Sequence, residues 1–177
     1  MRRAVTISNA KHEAGHWITG WFHNEASNDV VISTTMEGNS YCEKEPHPDF
    51  TDISAINDHL KNRIINLLAG AKAESLVGGS INNEMYRQLI NDYEGAWPDY
   101  FIASELFRYY FRSLQKNTRM TFEEEWRAVE AKCEEMVITH ESFILGVADE
   151  AAIRFSEENR EIKLTKDEMI QILNSHS

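Results

Sequence analysis

NAKHEAGHWITGWFH, residues 9–23, decides how this chain is read. Ala10, Ala14, Trp17 and Trp21 recur at intervals of four and three, the period of a helix with one apolar face, and predict a helix from about Asn9 to His23. On that helix His12 and His16 project from the same face one turn apart. Two imidazole nitrogens so placed can reach one ion at about 2.0–2.1 Å, the bond length zinc takes. Glu13 stands beside the first histidine, where its carboxylate can accept a proton from water that the metal acidifies. A shuffled chain of this composition would show H-E-x-x-H roughly 3% of the time. The amphipathic helix around the motif is what favours a metal site over coincidence.

Working outward, Val30 to Thr34 (VVIST) is a β-branched run, and Asn39 to Glu43 reads as its return strand across a Glu37-Gly38-Asn39 turn. Residues 45–50 (EPHPDF) hold two prolines and read as a loop. A long helix is expected from Thr51 or Asp52 to Val77, with Ile53, Ile56, Leu60, Ile64, Leu67 and Leu68 on its apolar positions and Gly78-Gly79 as its stop. Residues 80–96 are polar and mixed, room for one short helix. Pro98 suits the first turn of a helix carrying Tyr100, Ala103, Leu106, Phe107 and Tyr110. Thr121 and Glu124 form a capping pattern opening a helical stretch that ends near Ser156, and Thr165 with Glu168 repeats the pattern before a short last helix. The expected fold is mainly α, a single helical domain over residues 1–177 with a small β element between the first two helices.

Composition bounds the function. A length of 177 residues suffices for one core without disulfides. The net charge of −11 leaves no basic face for nucleic acid and disfavours an anionic membrane surface. Acidic runs such as FEEEW and FSEENREI read as solvated helix faces. Cys42 and Cys133 are far apart and read as reduced thiols, and no apolar run reaches the ~18 residues that span a bilayer. With no apolar segment of signal-peptide type near the N-terminus, a cytoplasmic location is expected. No Gly-rich phosphate loop is present.

Two histidines leave zinc short of ligands, since a catalytic site uses three protein ligands and keeps one position open. Spacing alone offers Glu74, Asp92, Asp99 and His59 as the third. His23 shares the helix face of His12 and His16 but reads as a solvent-exposed helix end. His47, His140 and His176 have no partner at ligand spacing and read as surface residues. Trp17, Trp21, Trp97 and Trp126 read as core. The VVIST strand is open to two readings, scaffold or a strand to which a peptide substrate adds.

HEAGH, LLAGAKAESLVGG (67–79) and WPDYFIASEL (97–106), in this order and followed by LTKDEMIQIL (164–173), resemble the peptidase domain of the FtsH family of ATP-dependent zinc metalloproteases. The likeness runs along nearly the whole chain and is sharpest at HEAGH. It implies a helical zinc-peptidase domain with His12 and His16 as zinc ligands, Glu13 as the catalytic base and Asp99 as the third ligand. It places the family's segment glutamate on Glu74, in a role orienting a ligand imidazole. The chain departs from the family in three ways. The ATPase module and membrane spans have no counterpart in these residues. NDYEGAWP precedes Asp99 where the family has a TGAxN pattern, which keeps Asp92 as a rival. Trp17 follows HEAGH where the family has a small residue, which predicts a bulkier back wall to the site.

The expected activity is a zinc metalloendopeptidase that hydrolyses unfolded or short polypeptides with Glu13 as general base. The alternative is a non-catalytic zinc-stabilised binding or assembly module of the same fold. Zn2+ is the expected cofactor and a polypeptide the expected substrate. The family's rings make a homo-oligomer, and its ATPase a separate partner, compatible with the resemblance.

Overall fold

The computed structural model describes residues 1–24, 27–36, 38–44, 49–91, 95–114 and 119–176. The protein is mainly helical with a small antiparallel sheet. The metal-motif helix α1 spans Arg2–Phe22 and packs along its length on α2, Ile53–Glu74. It begins seven residues before the expected Asn9, where tertiary contacts anchor it. Arg2 donates to the Thr34 hydroxyl at 2.7 Å and to the Asn159 carbonyl at 2.7 Å, tying the first turn to two distant segments.

Strand β1, Ser27–Ser33, pairs antiparallel with β2, Tyr41–Lys44, as the β-branched run and return strand predict. The expectation of a β element confined between the first two helices is incomplete. A third strand, β5 at Glu161–Leu164, pairs antiparallel with the other side of β1, matching Val30 to Leu164 and Ile32 to Ile162. Only two of its four side chains, Ile162 and Leu164, turn into the core, too short an alternation to stand out in the sequence. β1 is therefore the middle strand of the order β2-β1-β5. With both sides hydrogen-bonded it has no edge to which a peptide could add, which decides between its two readings in favour of scaffold.

Asp52 caps α2 by accepting from the Ala55 N–H at 2.9 Å. The helix ends at Glu74, three residues short of the expected Val77. Gly78 and Gly79, at φ of 57° and 77°, do not stop it; they turn the hairpin of β3, Leu76–Val77, and β4, Ser80–Ile81. The short helix α3 follows at Asn83–Asn91, then α4 at Trp97–Leu114 with Ala103, Phe107 and Tyr110 buried. Both Thr-x-x-Glu capping boxes form, at the start of α5, Phe122–Thr139, and of α7, Lys166–Ser175. The stretch expected to run unbroken to Ser156 divides at His140, where α6, Glu141–Arg154, sets off. No glycine or proline marks that corner. The His140 ring instead stacks on Phe22 at 4.5 Å, so a contact with the end of α1 accompanies the bend.

The core draws on all of these layers, with Trp17, Ile18, Ile64, Leu68, Phe107, Phe143 and Leu164 fully buried. Among the described residues no helix is long and apolar enough to cross a membrane.

Candidate metal centre

Helix α1 presents His12 and His16 to α2, and the first turn of α4 brings Asp99 to the same point. His12 Nε2 lies 3.0 Å from His16 Nε2, and Asp99 Oδ2 lies 3.3 Å from each. The outer nitrogens are occupied. His12 Nδ1 is 3.2 Å from Glu74 Oε2, and His16 Nδ1 donates to the Asn66 carbonyl at 2.7 Å. Both outer partners are acceptors, so each ring can hold a proton on Nδ1 and turn Nε2 to a metal that takes the place of any proton there. Three atoms that can each give an electron pair to a metal thus converge. Tetrahedral bonds of about 2.0–2.1 Å separate zinc ligands by roughly 3.3 Å. Spacings of 3.0 to 3.3 Å and a nitrogen–nitrogen–oxygen donor set therefore fit zinc.

The electrostatics express the same demand for positive charge. Burial alone would pull the His12 pKa down, but Asp99, Glu74 and Glu13 around it outweigh that and push it up to about 10. Burial would raise Asp99, yet its contacts with His12 and His16 hold it well below the usual carboxylate range.

Several supports come from residues that the sequence reading did not single out. Asn66 is fully buried in the apolar run Ile64–Leu68. Its side-chain N–H2 donates to the His16 carbonyl at 2.6 Å and to the Thr19 hydroxyl at 3.0 Å. A buried amide needs such partners, and a lone Asn in an apolar helical stripe is the signal that could have found it. Gly70 sits beneath the imidazoles: a Cβ there would stand 2.5 Å from His12 Nε2 and 2.7 Å from His16 Nε2. Gly15, inside the motif, lets α1 approach the Ala69 carbonyl and the Ala73 side chain of α2. Glycine inside a helix costs about 0.5–1 kcal/mol, so each mid-helix glycine was itself a sign of close approach. Ser8 donates to the second oxygen of Glu74 at 2.6 Å and fixes that carboxylate against His12.

The cluster opens onto a cleft of about 630 Å³, lined by Glu13, Tyr41, Cys42, Arg63, Leu67 and Glu74 among others. Glu13 is only 4% exposed yet reaches this cleft. Trp17 does not form the back wall that its bulk predicted. It is turned into the core, where it stacks on Trp21 and donates to the Asn28 carbonyl. Asp92 and His47 lie outside the described residues. His59 stands apart from the cluster, its ring against Phe50. His23 is half-buried rather than exposed, His140 is half-buried against Phe22, and His176 is exposed. Trp21 and Trp126 pack on the core, and Trp97 stacks on Phe101. Cys42 and Cys133 are both free thiols, Cys133 fully buried.

Neither a family model nor a curated protein matches the chain. The FtsH-type resemblance therefore rests on the residues themselves.

Proposed function

We propose that the protein is a zinc metallopeptidase whose ligands are His12, His16 and Asp99 and whose general base is Glu13. The observation that carries this reading is the convergence of two imidazole Nε2 atoms and a carboxylate oxygen within 3.0 to 3.3 Å in an open cleft that also holds Glu13. A purely structural zinc site closes with four protein ligands. Here three described residues converge, and a reactive face is left toward the cleft.

Bound zinc would supply Lewis acidity, polarising the scissile carbonyl and bringing water into reach of a carboxylate base near neutral pH. The chain does the rest. Glu74 and Asn66 hold the two imidazoles in the tautomer that turns Nε2 inward. Asp99, in the first turn of α4, is favoured as an anion by the helix dipole. Glu13 takes the proton of the attacking water and delivers it to the departing amine. β2, at the free side of the sheet, contributes Tyr41 and Cys42 to the cleft wall and offers an extended peptide a place to lie.

The test pairs metal analysis with a digest. Purified without chelator, the chain should hold about one zinc and cleave sites in an unfolded peptide library. Glu13→Gln should keep the zinc and the fold and lose cleavage, because the amide keeps the shape but cannot accept the proton. Absence of any bound transition metal after zinc reconstitution would end the reading. A metal-loaded chain that cleaves no library peptide would instead favour the binding module.

A further inference from the structure

We infer that Arg63 makes the cleft selective for substrates carrying a carboxylate close to the bond that is cut. The inference rests on the peptidase reading above and names the substrate class of that same site. α2 sends one face into the cleft: Arg63, Leu67 and Glu74 line it, and Gly70 lies against the imidazoles. Arg63 precedes Gly70 by seven residues, about 10 Å along a helix axis. That is the length of roughly three extended residues, so the guanidinium stands within a few substrate residues of the metal ligands.

Its place in the cleft, without a carboxylate partner, sets it apart. Several partly buried cations elsewhere are neutralised, Arg2 by Glu157, Lys72 by Glu134 and Arg154 by Glu150 and Glu168, while Lys11 and Lys166 bond to neutral oxygens of Leu76 and Asn28 and do not line the cleft. Arg63 is half-buried, and its hydrogen bond goes to a neutral acceptor, Asn66 Oδ1 at 3.0 Å. No described carboxylate pairs with it, and it is the one Lys or Arg among the described cleft-lining residues. A guanidinium has five N–H donors in a planar fork that matches a carboxylate in two-point contact. The bond to Asn66 leaves most of that fork for a ligand and fixes its direction. In a chain of net charge −11 an anionic substrate is otherwise repelled, so a local cation in the cleft decides whether one is accepted. The carboxylate can come from an aspartate or glutamate side chain or from a free C-terminus, and the guanidinium makes the same contact with either.

Fluorescently labelled ten-residue peptides, titrated onto the zinc-loaded Glu13→Gln chain, test this by polarisation without cleavage. The peptides differ at one scanned position, glutamate against glutamine, and each is made with a free and an amidated C-terminus. At one or more positions, or at the free terminus, the carboxylate form should bind about tenfold tighter or more. The position of the gain tells side chain from terminus. Arg63→Gln should remove the gain while leaving amide-form binding and zinc affinity unchanged, and Arg63→Lys should restore only part of it. Equal binding of acid and amide forms overturns the inference, as does a gain that survives Arg63→Gln. Uniform weakening in Arg63→Gln together with zinc loss also overturns it, because Arg63 would then act through Asn66. No binding of any peptide refutes the peptidase reading itself, and the inference with it.

Discussion

Replacing Gly70 by alanine tests the site's geometry at one carbon atom. The added Cβ would stand 2.5 Å from His12 Nε2, 2.7 Å from His12 Cε1 and 2.7 Å from His16 Nε2. Comfortable carbon contacts begin near 3.5 Å, so both rings must withdraw by roughly 1 Å. Metal constellations tolerate displacements of about 0.5 Å, and both proposed ligands move at once. Zinc affinity should fall by about 100-fold or more, the upper end of what losing an imidazole's supporting partner costs. Without zinc the exchange is milder: the methyl gains about 0.5–1 kcal/mol of helix propensity against about 1–3 kcal/mol of overpacking. Chelator competition reads the affinity, and thermal unfolding with and without zinc separates the two effects. In excess zinc the variant should forfeit about 2.7 kcal/mol of zinc-linked stability for a 100-fold weaker Kd. Gly15→Ala is the contrast, since its Cβ would meet the Ala69 backbone and the Ala73 side chain and should destabilise equally with and without zinc. Wild-type zinc affinity in Gly70→Ala would refute the placement of the two rings against α2.

Among Asp92→Ala, Asp99→Ala and Glu74→Ala, zinc competition should show Asp99→Ala as by far the weakest binder and Glu74→Ala down about 10–100-fold; a wild-type-like Asp99→Ala beside a defective Asp92→Ala would move the third ligand. Asn66→Ala should cost about 1–3 kcal/mol in denaturant unfolding, because the fully buried amide serves the His16 carbonyl and Thr19; a neutral effect would show that water replaces it. Arg154 first, then the Thr165 N–H, lower the Glu168 pKa from 4.5 to about 2. A depressed carboxylate stabilises fully above its unfolded pKa and loses that contribution as pH falls through the folded one. Acid unfolding of wild type should therefore steepen between about pH 4.5 and 2 relative to Glu168→Gln, and parallel curves would contradict the pairing.

What was legible in the sequence was whatever a local pattern encodes. The HEAGH helix, both capping boxes and the VVIST strand carry their cause within a few residues, and each forms. His12 and His16 were legible in the motif and Asp99 through the resemblance, and the fold brings the three together, though spacing alone left four candidates for the third position. What the sequence hid depends on distant partners. β5 exists because Ile162 and Leu164 find Val30 and Ile32, and the corner at His140 adjoins Phe22. Gly78-Gly79 read as a stop because a terminating glycine and a hairpin glycine need the same positive φ. Asn66 and Gly70 act on imidazoles some fifty residues away in the chain, and no window along α2 records that.

The pairing of β5 with β1 also bears on the order of events during synthesis. The motif helix and α2 are complete once Glu74 has been made, and chains emerge N-terminus first at about 5–20 residues per second. The middle strand of the sheet then waits for residues 161–164 with one row of backbone N–H and C=O groups unpaired. Proteolysis of ribosome-stalled chains should find β1 vulnerable in a chain stopped at Asn159 and protected once Leu164 and α7 have cleared the exit tunnel. The histidines are thus translated well over a hundred residues before the strand that closes the sheet, which leaves the nascent chain a long interval with an adhesive strand on display.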